Sequence, residues 1–206
     1  MRKLFLVILL TGLIVFSGFA QMNDKMFGVK GGLTLGKISL ENDIPDDFDG
    51  KFRMGFAIGG FVLMPLNENM SVQGELMYVM KGQKWEGGGI YEDLEITADV
   101  IEVPILLRYV AMENIAFYGG FSFDYLLSAK EKYGSSDDYD LIEEEMVNRF
   151  GYGLSFGAQY LMNDIVFDLR YDLGLSNYMN EDKSYHDFYG DTKTNTIYIT
   201  VGYLFE

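Results

Sequence analysis

The sequence predicts an all-β fold, a closed antiparallel up-and-down transmembrane β-barrel of about eight strands with short periplasmic turns and long extracellular loops. Three observations lead to this prediction. Apolar and polar residues alternate with a period of two along successive segments, which is the main signal for strands. Short and long connections alternate between those segments. The chain also opens with an export signal, and no later run is long and apolar enough for a spanning helix.

The last segment, residues 196–206, shows the alternation most clearly. One face is entirely aliphatic or aromatic, at Ile197, Ile199, Val201, Tyr203 and Phe205, whereas Thr196, Tyr198, Thr200 and Gly202 lie on the other. Lipid-facing and lumen-facing residues alternate in this way along every strand of a transmembrane barrel. We expect the outer-membrane insertion machinery to recognise the chain through this C-terminal strand.

The other predicted strands follow the same alternation. In chain order they cover residues 27–36, 52–64, 70–82, 96–110, 115–129, 148–162 and 165–176, and the last strand covers 194–205. The short connections are 65–69, 111–114 and 163–164, and the long ones are 37–51, 83–94, 130–147 and 177–193. Tight periplasmic turns and longer outer loops are typical of outer-membrane barrels, and an even strand number places both termini in the periplasm.

The N-terminal segment predicts a cleaved signal peptide at residues 1–20, which leaves residues 21–206 as one outer-membrane β-barrel domain. Arg2 and Lys3 form the positive n-region, residues 4–16 the apolar h-region, and Gly18 and Ala20 the small residues before the cleavage site. The absence of cysteine excludes disulfides, thiolate metal sites and a lipidated cysteine. The formal net charge of −15 argues against nucleic acid as a partner.

Charged side chains of both signs occupy lumen-facing positions. A barrel of about eight strands has an interior just wide enough for its own side chains. We therefore interpret these residues as a packed network of ion pairs and hydrogen bonds, with inward glycines leaving room for the larger side chains. The set is Lys30, Arg53, Glu75, Lys81, Glu102, Arg108, Asp124, Arg149, Asp168, Arg170 and Asp172.

Two local features carry separate predictions. Aromatic residues near the strand ends are expected to form the interfacial girdles, with Trp85 and Tyr91 near the outer rim. Pro104 lies inside the fourth strand, where proline cannot donate to the ladder of backbone hydrogen bonds. Its position predicts a bulge or a locally broken ladder.

An ordered set of short motifs carries a family resemblance over essentially the whole mature chain. The motifs are residues 27–33, 55–61, 73–78 with 81–82, 101–109, 167–177 and 202–205. With these the chain resembles the PorT-like family of small outer-membrane β-barrel proteins of Bacteroidetes, often labelled porin family. The resemblance implies a barrel of about eight strands in a Gram-negative outer membrane. One relative acts in a protein secretion and gliding apparatus.

The sequence predicts no enzymatic activity, and no catalytic, cofactor-binding or metal-binding residues. The single histidine, His186, lies near Ser184 and Asp187, but proximity in a loop does not supply the geometry that a nucleophile and its base need. The acidic loops carry oxygen ligands that suit Ca²⁺, yet residues 46–50 lack the full spacing of a calcium loop. We interpret these loops as solvated negative surface.

We expect an integral outer-membrane protein with a packed polar lumen and a structural, interaction or secretion-accessory role. Its expected partners are outer-membrane lipid and an envelope or secretion protein. The alternatives are a narrow channel for small solutes or ions, and a lipid hydrolase at the barrel rim centred on His186. A soluble lipocalin-like binder is disfavoured, because it would place its aliphatic residues inside the barrel and its charges outside.

Overall fold

The computed structural model describes residues 26–40, 48–87, 93–134, 139–142, 146–180 and 192–205. The predicted signal peptide lies outside these residues. The described chain forms the strands β1 Met26–Leu40, β2 Phe48–Pro65, β3 Met70–Gly87, β4 Leu94–Met112, β5 Ile115–Tyr133, β6 Tyr139–Asp140, β7 Phe150–Met162, β8 Ile165–Gly174 and β9 Thr192–Phe205. The eight long strands correspond to the eight predicted ones, whereas the two-residue β6 was not predicted.

The long strands form one closed antiparallel sheet. Neighbours in the chain pair with each other, except that β5 pairs with β7 across the connection that contains β6. The first and last strands close the ring, from Phe27 opposite Phe205 to Leu40 opposite Thr192. The predicted closed up-and-down barrel is therefore confirmed. No helix among the described residues is long and apolar enough to cross a membrane.

The two ends of the barrel differ, as the alternation of short and long connections predicted. We call the end with connections 66–69, 113–114 and 163–164 the turn end, and the opposite end the loop end. Asn163 occupies the left-handed region with a φ of 53°, which asparagine tolerates better than most residues. At the loop end several strands run past their predicted limits, because the apolar alternation fades there while the backbone pairing continues.

The outward face of the barrel is apolar, as predicted. Ile105, Phe121 and Ile199 are each more than half exposed. Such a continuous belt far exceeds the apolar patches of soluble proteins, and it matches the lipid-facing band of a membrane barrel. Val62 departs from the pattern: it lies in the outward phase, opposite Gly74, but is buried.

The ladder is irregular at Pro104, as predicted. The registered pairs between β3 and β4 include Gly74 with Ile105 and Met77 with Glu102 but omit the two positions between them. On its other side Pro104 keeps a regular place opposite Ser122 of β5. The missing N–H of proline therefore interrupts the ladder on one flank only.

A second irregularity, which the sequence did not predict, lies in β2. Its register with β3 shifts between Phe52 and Ala57. Strand β1 bridges the gap by bonding directly to β3: the Thr34 hydroxyl donates to the carbonyl of Met80 at 2.7 Å, and the backbone N–H of Ile38 donates to the side chain of Gln83. These bonds satisfy backbone groups that the bulge removes from the regular ladder.

Candidate functional site

Charged side chains meet in the middle of the lumen and form the most densely connected polar site in the described chain. We call this set the ionic layer. It consists of Lys30, Glu75, Lys81, Glu102, Asp124, Asp168, Arg170 and Asp172, all buried. The residues come from five of the strands, and each lies in the inward phase of its strand, so that closure of the barrel brings them together.

Arg170 lies at the centre of the ionic layer. Its Nη1 donates to Oε2 of Glu75 at 2.8 Å and its Nη2 donates to Oε1 of Glu102 at 2.6 Å. Its Nε lies 3.2 Å from Oδ1 of Asp172, within ion-pair distance. The guanidinium also lies 4.0 Å from the ring centroid of Tyr198, a cation–π contact. One planar cation thus joins three strands that are far apart in sequence.

Two lysines extend the network on either side of Arg170. Lys30 Nζ lies 2.7 Å from Glu75 and 2.8 Å from Asp168. Lys81 Nζ lies 2.5 Å from Glu102 and 3.4 Å from Asp124. The resulting chain of alternating charges runs without a break from Asp168 through Arg170 to Asp124, across the whole lumen.

Phenol groups complete the hydrogen bonding of the carboxylates. Tyr118 donates to Asp168 at 2.6 Å, Tyr198 donates to Glu102 at 2.8 Å, and Tyr178 donates to Asp124. Tyr178 lies in the segment after β8, outside the spanning strands, and burial raises the pKa of its hydroxyl well above the usual value. A phenol O–H donor supplies the hydrogen bond that a paired carboxylate needs inside a low-dielectric interior.

Inward glycines make room for these rings, as the sequence suggested. A Cβ atom added to Gly157 would lie 2.6 Å from Cζ of Tyr118. Real Cβ atoms do not approach a ring so closely, so Gly157 is required for Tyr118 to reach Asp168 in its present position.

Three residues that the sequence assigned to the lumen network lie outside the ion pairs of the ionic layer. Arg149 is exposed at the loop end, one residue before β7 begins. Arg108 lies near the turn end and connects to the layer through hydrogen bonds alone: it donates to Gln159 at 2.8 Å, Gln159 donates to Gln73 at 3.2 Å, and Gln73 donates to Glu75 at 2.5 Å. Arg53 lies in the β2 bulge and pairs with Glu95 at 2.7 Å. Alternation assigned their phase but could not show their height in the barrel or the local shift of register.

Apolar clusters border the ionic layer, although buried polar side chains also lie towards the ends of the lumen, such as Gln159 at the turn end and Gln83 and Glu131 at the loop end. The turn-end cluster contains Phe61, Leu63, Val166 and Leu204. A second cluster contains Ala57, Met77, Val79, Val100, Leu126, Ala129, Leu141 and Tyr198; it overlaps the ionic layer at Tyr198 and extends towards the loop end. The mouth cluster at the loop end contains Ile38, Trp85, Leu94 and Ile96. The prediction of a packed lumen holds, but the lumen is layered and not polar throughout.

Trp85 corrects one expectation. The sequence placed it in the interfacial girdle, yet its side chain is 3% exposed and packs inside the mouth with Ile38 and Ile96. Strand β3 continues to Gly87, and the alternation carries position 85 into the inward phase. The companion residue Tyr91 lies outside the described residues.

Among the described residues, a cavity lies at each end of the barrel. The turn-end cavity has a volume of about 130 Å³ and is lined by Arg108 and Gln159 among mostly apolar residues. The mouth cavity has a volume of about 50 Å³ and is lined by Trp85, Leu141 and Met179 among others. No residue of the ionic layer lines either cavity, so the layer separates them.

The described residues contain no cluster of His, Asp and Glu side chains that could hold a metal ion. His186 and most of the acidic loop residues lie outside the described part of the chain. One loop acid that is described, Asp140, accepts the backbone N–H of Ile142 at 2.8 Å and so stabilises a tight turn.

The closed antiparallel barrel, its apolar outer belt and its layered lumen define a small integral β-barrel protein of outer-membrane type. Residues 19–180 match the family described as outer membrane protein beta-barrel domain, and the chain belongs to that family. None of the curated proteins matches the chain.

Solved structures show the same fold. The attachment invasion locus protein Ail of Yersinia pestis is 15% identical, with a TM-score of 0.50 over 88% of this chain and 99% of that one. Neisserial surface protein A is 13% identical, with a TM-score of 0.53 over 86% of this chain and 95% of that one. At these identities the similarity extends to the fold alone.

Proposed function

We propose that this protein is a closed outer-membrane barrel with a structural, interaction or secretion-accessory role, oriented with the loop end outside the cell and both termini in the periplasm. The ionic layer carries the proposal. It closes the lumen with paired side chains, so the surfaces left for function are the two ends and the lipid-facing wall. The alternation of short turns and long loops supports the orientation.

Opening the lumen would require separation of buried ion pairs. The side chains of Glu75, Glu102 and Arg170 are each no more than 1% exposed. Breaking a buried pair by removing one partner costs about 3–5 kcal/mol, and passage of a solute would disturb several pairs at once. A pore that opened only when these ion pairs separate would be open for a very small fraction of the time.

Planar bilayer recordings of the refolded protein test the closed lumen. We expect no discrete conductance steps from the wild type. A matched pair of variants sharpens the test: Arg170→Ala removes the central cation and its volume, whereas Arg149→Ala removes an exposed arginine from the loop end. Steps of uniform size from the wild type would overturn the proposal and favour the alternative of a narrow channel.

A mild-detergent pull-down of the tagged protein from its native membrane tests the interaction role. A reproducible stoichiometric envelope or secretion protein would support the accessory role. Recovery of the folded barrel alone would count against it. The second alternative, a lipid hydrolase centred on His186, predicts altered lipid masses that disappear in His186→Ala, and their appearance would replace the proposal.

A further inference from the structure

The cavity at the turn end combines apolar walls with one cationic side chain. Its walls include the buried residues Phe61, Leu63, Val166 and Leu204 of the turn-end cluster, and Arg108 of β4 also lines it. Its volume is about 130 Å³. An engineered apolar cavity of about 150 Å³ in another protein binds benzene. The turn-end cavity can therefore hold a ligand about the size of one aromatic ring.

Arg108 is held in place through one of its nitrogens. Its Nε donates to Oε1 of Gln159 at 2.8 Å. Gln159 is buried and donates to Gln73 at 3.2 Å, and Gln73 donates to Glu75 of the ionic layer at 2.5 Å. This chain of hydrogen bonds ties Arg108 to the ionic layer through Nε and leaves both terminal nitrogens for another partner.

Within the described part of the chain, the terminal nitrogens of Arg108 make no hydrogen bond or ion pair. Arg170 differs, because it uses both of its terminal nitrogens on carboxylates of the ionic layer. Asp168 is engaged instead by Lys30 at 2.8 Å and by Tyr118 at 2.6 Å. Arg108 is thus a positioned guanidinium whose fork of donors is unused.

A second polar group beside Arg108 also lacks a partner. Ser71 of β3 stands directly opposite Arg108 in the backbone register. It is buried, and its hydroxyl makes no hydrogen bond to the described residues. Buried polar groups are normally hydrogen-bonded, so two neighbouring groups with unused capacity favour a polar ligand at this place.

The turn-end cavity reaches the aqueous end of the barrel. Glu113 and Asn114, in the turn between β4 and β5, line it and are exposed. Because the carboxylate of Glu113 is exposed, water and salt screen its repulsion of an anion. Arg108 is half-buried, and the lower dielectric around it strengthens its attraction for an anion.

We propose that the turn-end cavity is a binding site for a small apolar monocarboxylate. The ring or short alkyl tail of the ligand lies among the apolar walls, and its carboxylate pairs with Arg108. The terminal nitrogens of an arginine form a planar fork that matches the two oxygens of a carboxylate. Gln159 orients this fork in advance, which lowers the entropic cost of binding. The inference goes beyond the proposed function, because it requires neither conductance nor a protein partner.

Titration of the refolded protein with benzoate, followed by NMR of isotope-labelled isoleucine, leucine and valine methyl groups, tests the site. We expect a dissociation constant on the order of a millimolar, since a ligand of about nine non-hydrogen atoms forms few contacts. The methyl resonances of Leu63, Val166 and Leu204 should shift together. Those of Ile96 in the mouth and Leu107 on the lipid-facing wall should stay unchanged.

Three related ligands separate charge from size. Benzamide has the size of benzoate without its charge, acetate has the carboxylate without the ring, and benzylammonium carries the opposite charge. We expect each to bind at least about tenfold more weakly than benzoate, because each loses either the charge-assisted pair with Arg108 or the apolar burial. Equal binding of benzamide or of acetate would overturn the proposal, and so would tighter binding of benzylammonium.

Variants of the site provide a second test. Arg108→Gln should weaken benzoate binding by about tenfold or more, whereas the matched control Arg149→Gln, at an exposed arginine of the loop end, should leave it unchanged. Val166→Phe keeps Arg108 but fills the cavity, and should abolish binding. Equal affinities of the two arginine variants, or undiminished binding by Val166→Phe, would overturn the proposal.

The ligand series uses the wild type, so it decides the question even if Arg108→Gln fails to fold. The NMR readouts are independent of conductance and of protein partners. A failure of this proposal is therefore distinguishable from a failure of the closed-barrel proposal.

Discussion

Replacing Arg170 with methionine should weaken the barrel more than any other single truncation in the lumen. Glu75 would keep Lys30 at 2.7 Å, and Glu102 would keep Lys81 at 2.5 Å. Asp172 would lose the guanidinium that now lies 3.2 Å away. One buried carboxylate left without its cation costs about 3–5 kcal/mol, and loss of the cation–π contact adds about 0.5–2 kcal/mol.

Equilibrium unfolding in urea measures this loss for the protein refolded into lipid vesicles. Trp85 is the only tryptophan and is buried at the mouth, so its fluorescence reports unfolding without competing signals. The fraction of protein that keeps its folded mobility on an unheated gel gives a second reading. We expect Arg170→Met to lower the free energy of unfolding by about 3.5–7 kcal/mol, a large part of a typical total.

Arg149→Met is the matched control, because it makes the same chemical change at an exposed arginine of the loop end. Its expected effect is within about 0.5 kcal/mol. If Arg170→Met costs no more than this control, the carboxylates of the ionic layer are hydrated rather than held by Arg170. The argument for a sealed lumen would then fail.

Three further predictions concern the wall and the mouth. A Cβ atom on Gly120 would lie 2.8 Å from the Cα of Leu106, whereas one on Gly119 would lie 3.8 Å from its nearest neighbouring atom. In urea unfolding, Gly120→Ala should therefore lower the free energy of unfolding by about 1–3 kcal/mol, and Gly119→Ala should leave it almost unchanged. Equal effects would refute the close approach. In vesicles of lipid with brominated acyl chains, which quench tryptophan facing the lipid, the fluorescence of Trp85 should be unchanged. The same lipid should quench a tryptophan introduced by Leu107→Trp in a Trp85→Phe background. Quenching of Trp85 would restore its assignment to the interfacial girdle. Pro104→Ala should change stability by less than about 1 kcal/mol and add a slowly exchanging amide that closes the gap with β3. Fast hydrogen exchange at that amide would contradict this.

Most of the fold could be predicted because a membrane barrel repeats one simple pattern. Each spanning strand alternates apolar and polar residues, so its existence, phase and approximate limits follow from the sequence. The limits were least accurate at the loop end, as for β3 and β5, since lipid no longer requires apolar residues there. Trp85 was assigned to the wrong face for that reason. The bulge in β2 was missed, because a shift of register leaves little trace in composition.

The candidate site was predictable as a set of residues but not as a network. Inward phase identified Glu75, Glu102 and Arg170 as lumen residues, and the width of a small barrel predicted that they would be paired. Which carboxylate meets which cation depends on the stagger between strands that lie many residues apart. The apolar clusters on either side of the ionic layer were also missed, since alternation distinguishes inside from outside and carries no information on height.

The sequence by itself determined that this chain is a membrane barrel with lipid outside and charges inside, because period two is a local property that each strand carries alone. Only the tertiary structure decided that Arg170 joins Glu75 to Glu102, that Arg149 stays outside the network, and that Trp85 lies inside the barrel. The physical reason is closure. Register and stagger are set when β1 meets β9, and from that point the height of every side chain in the barrel is fixed.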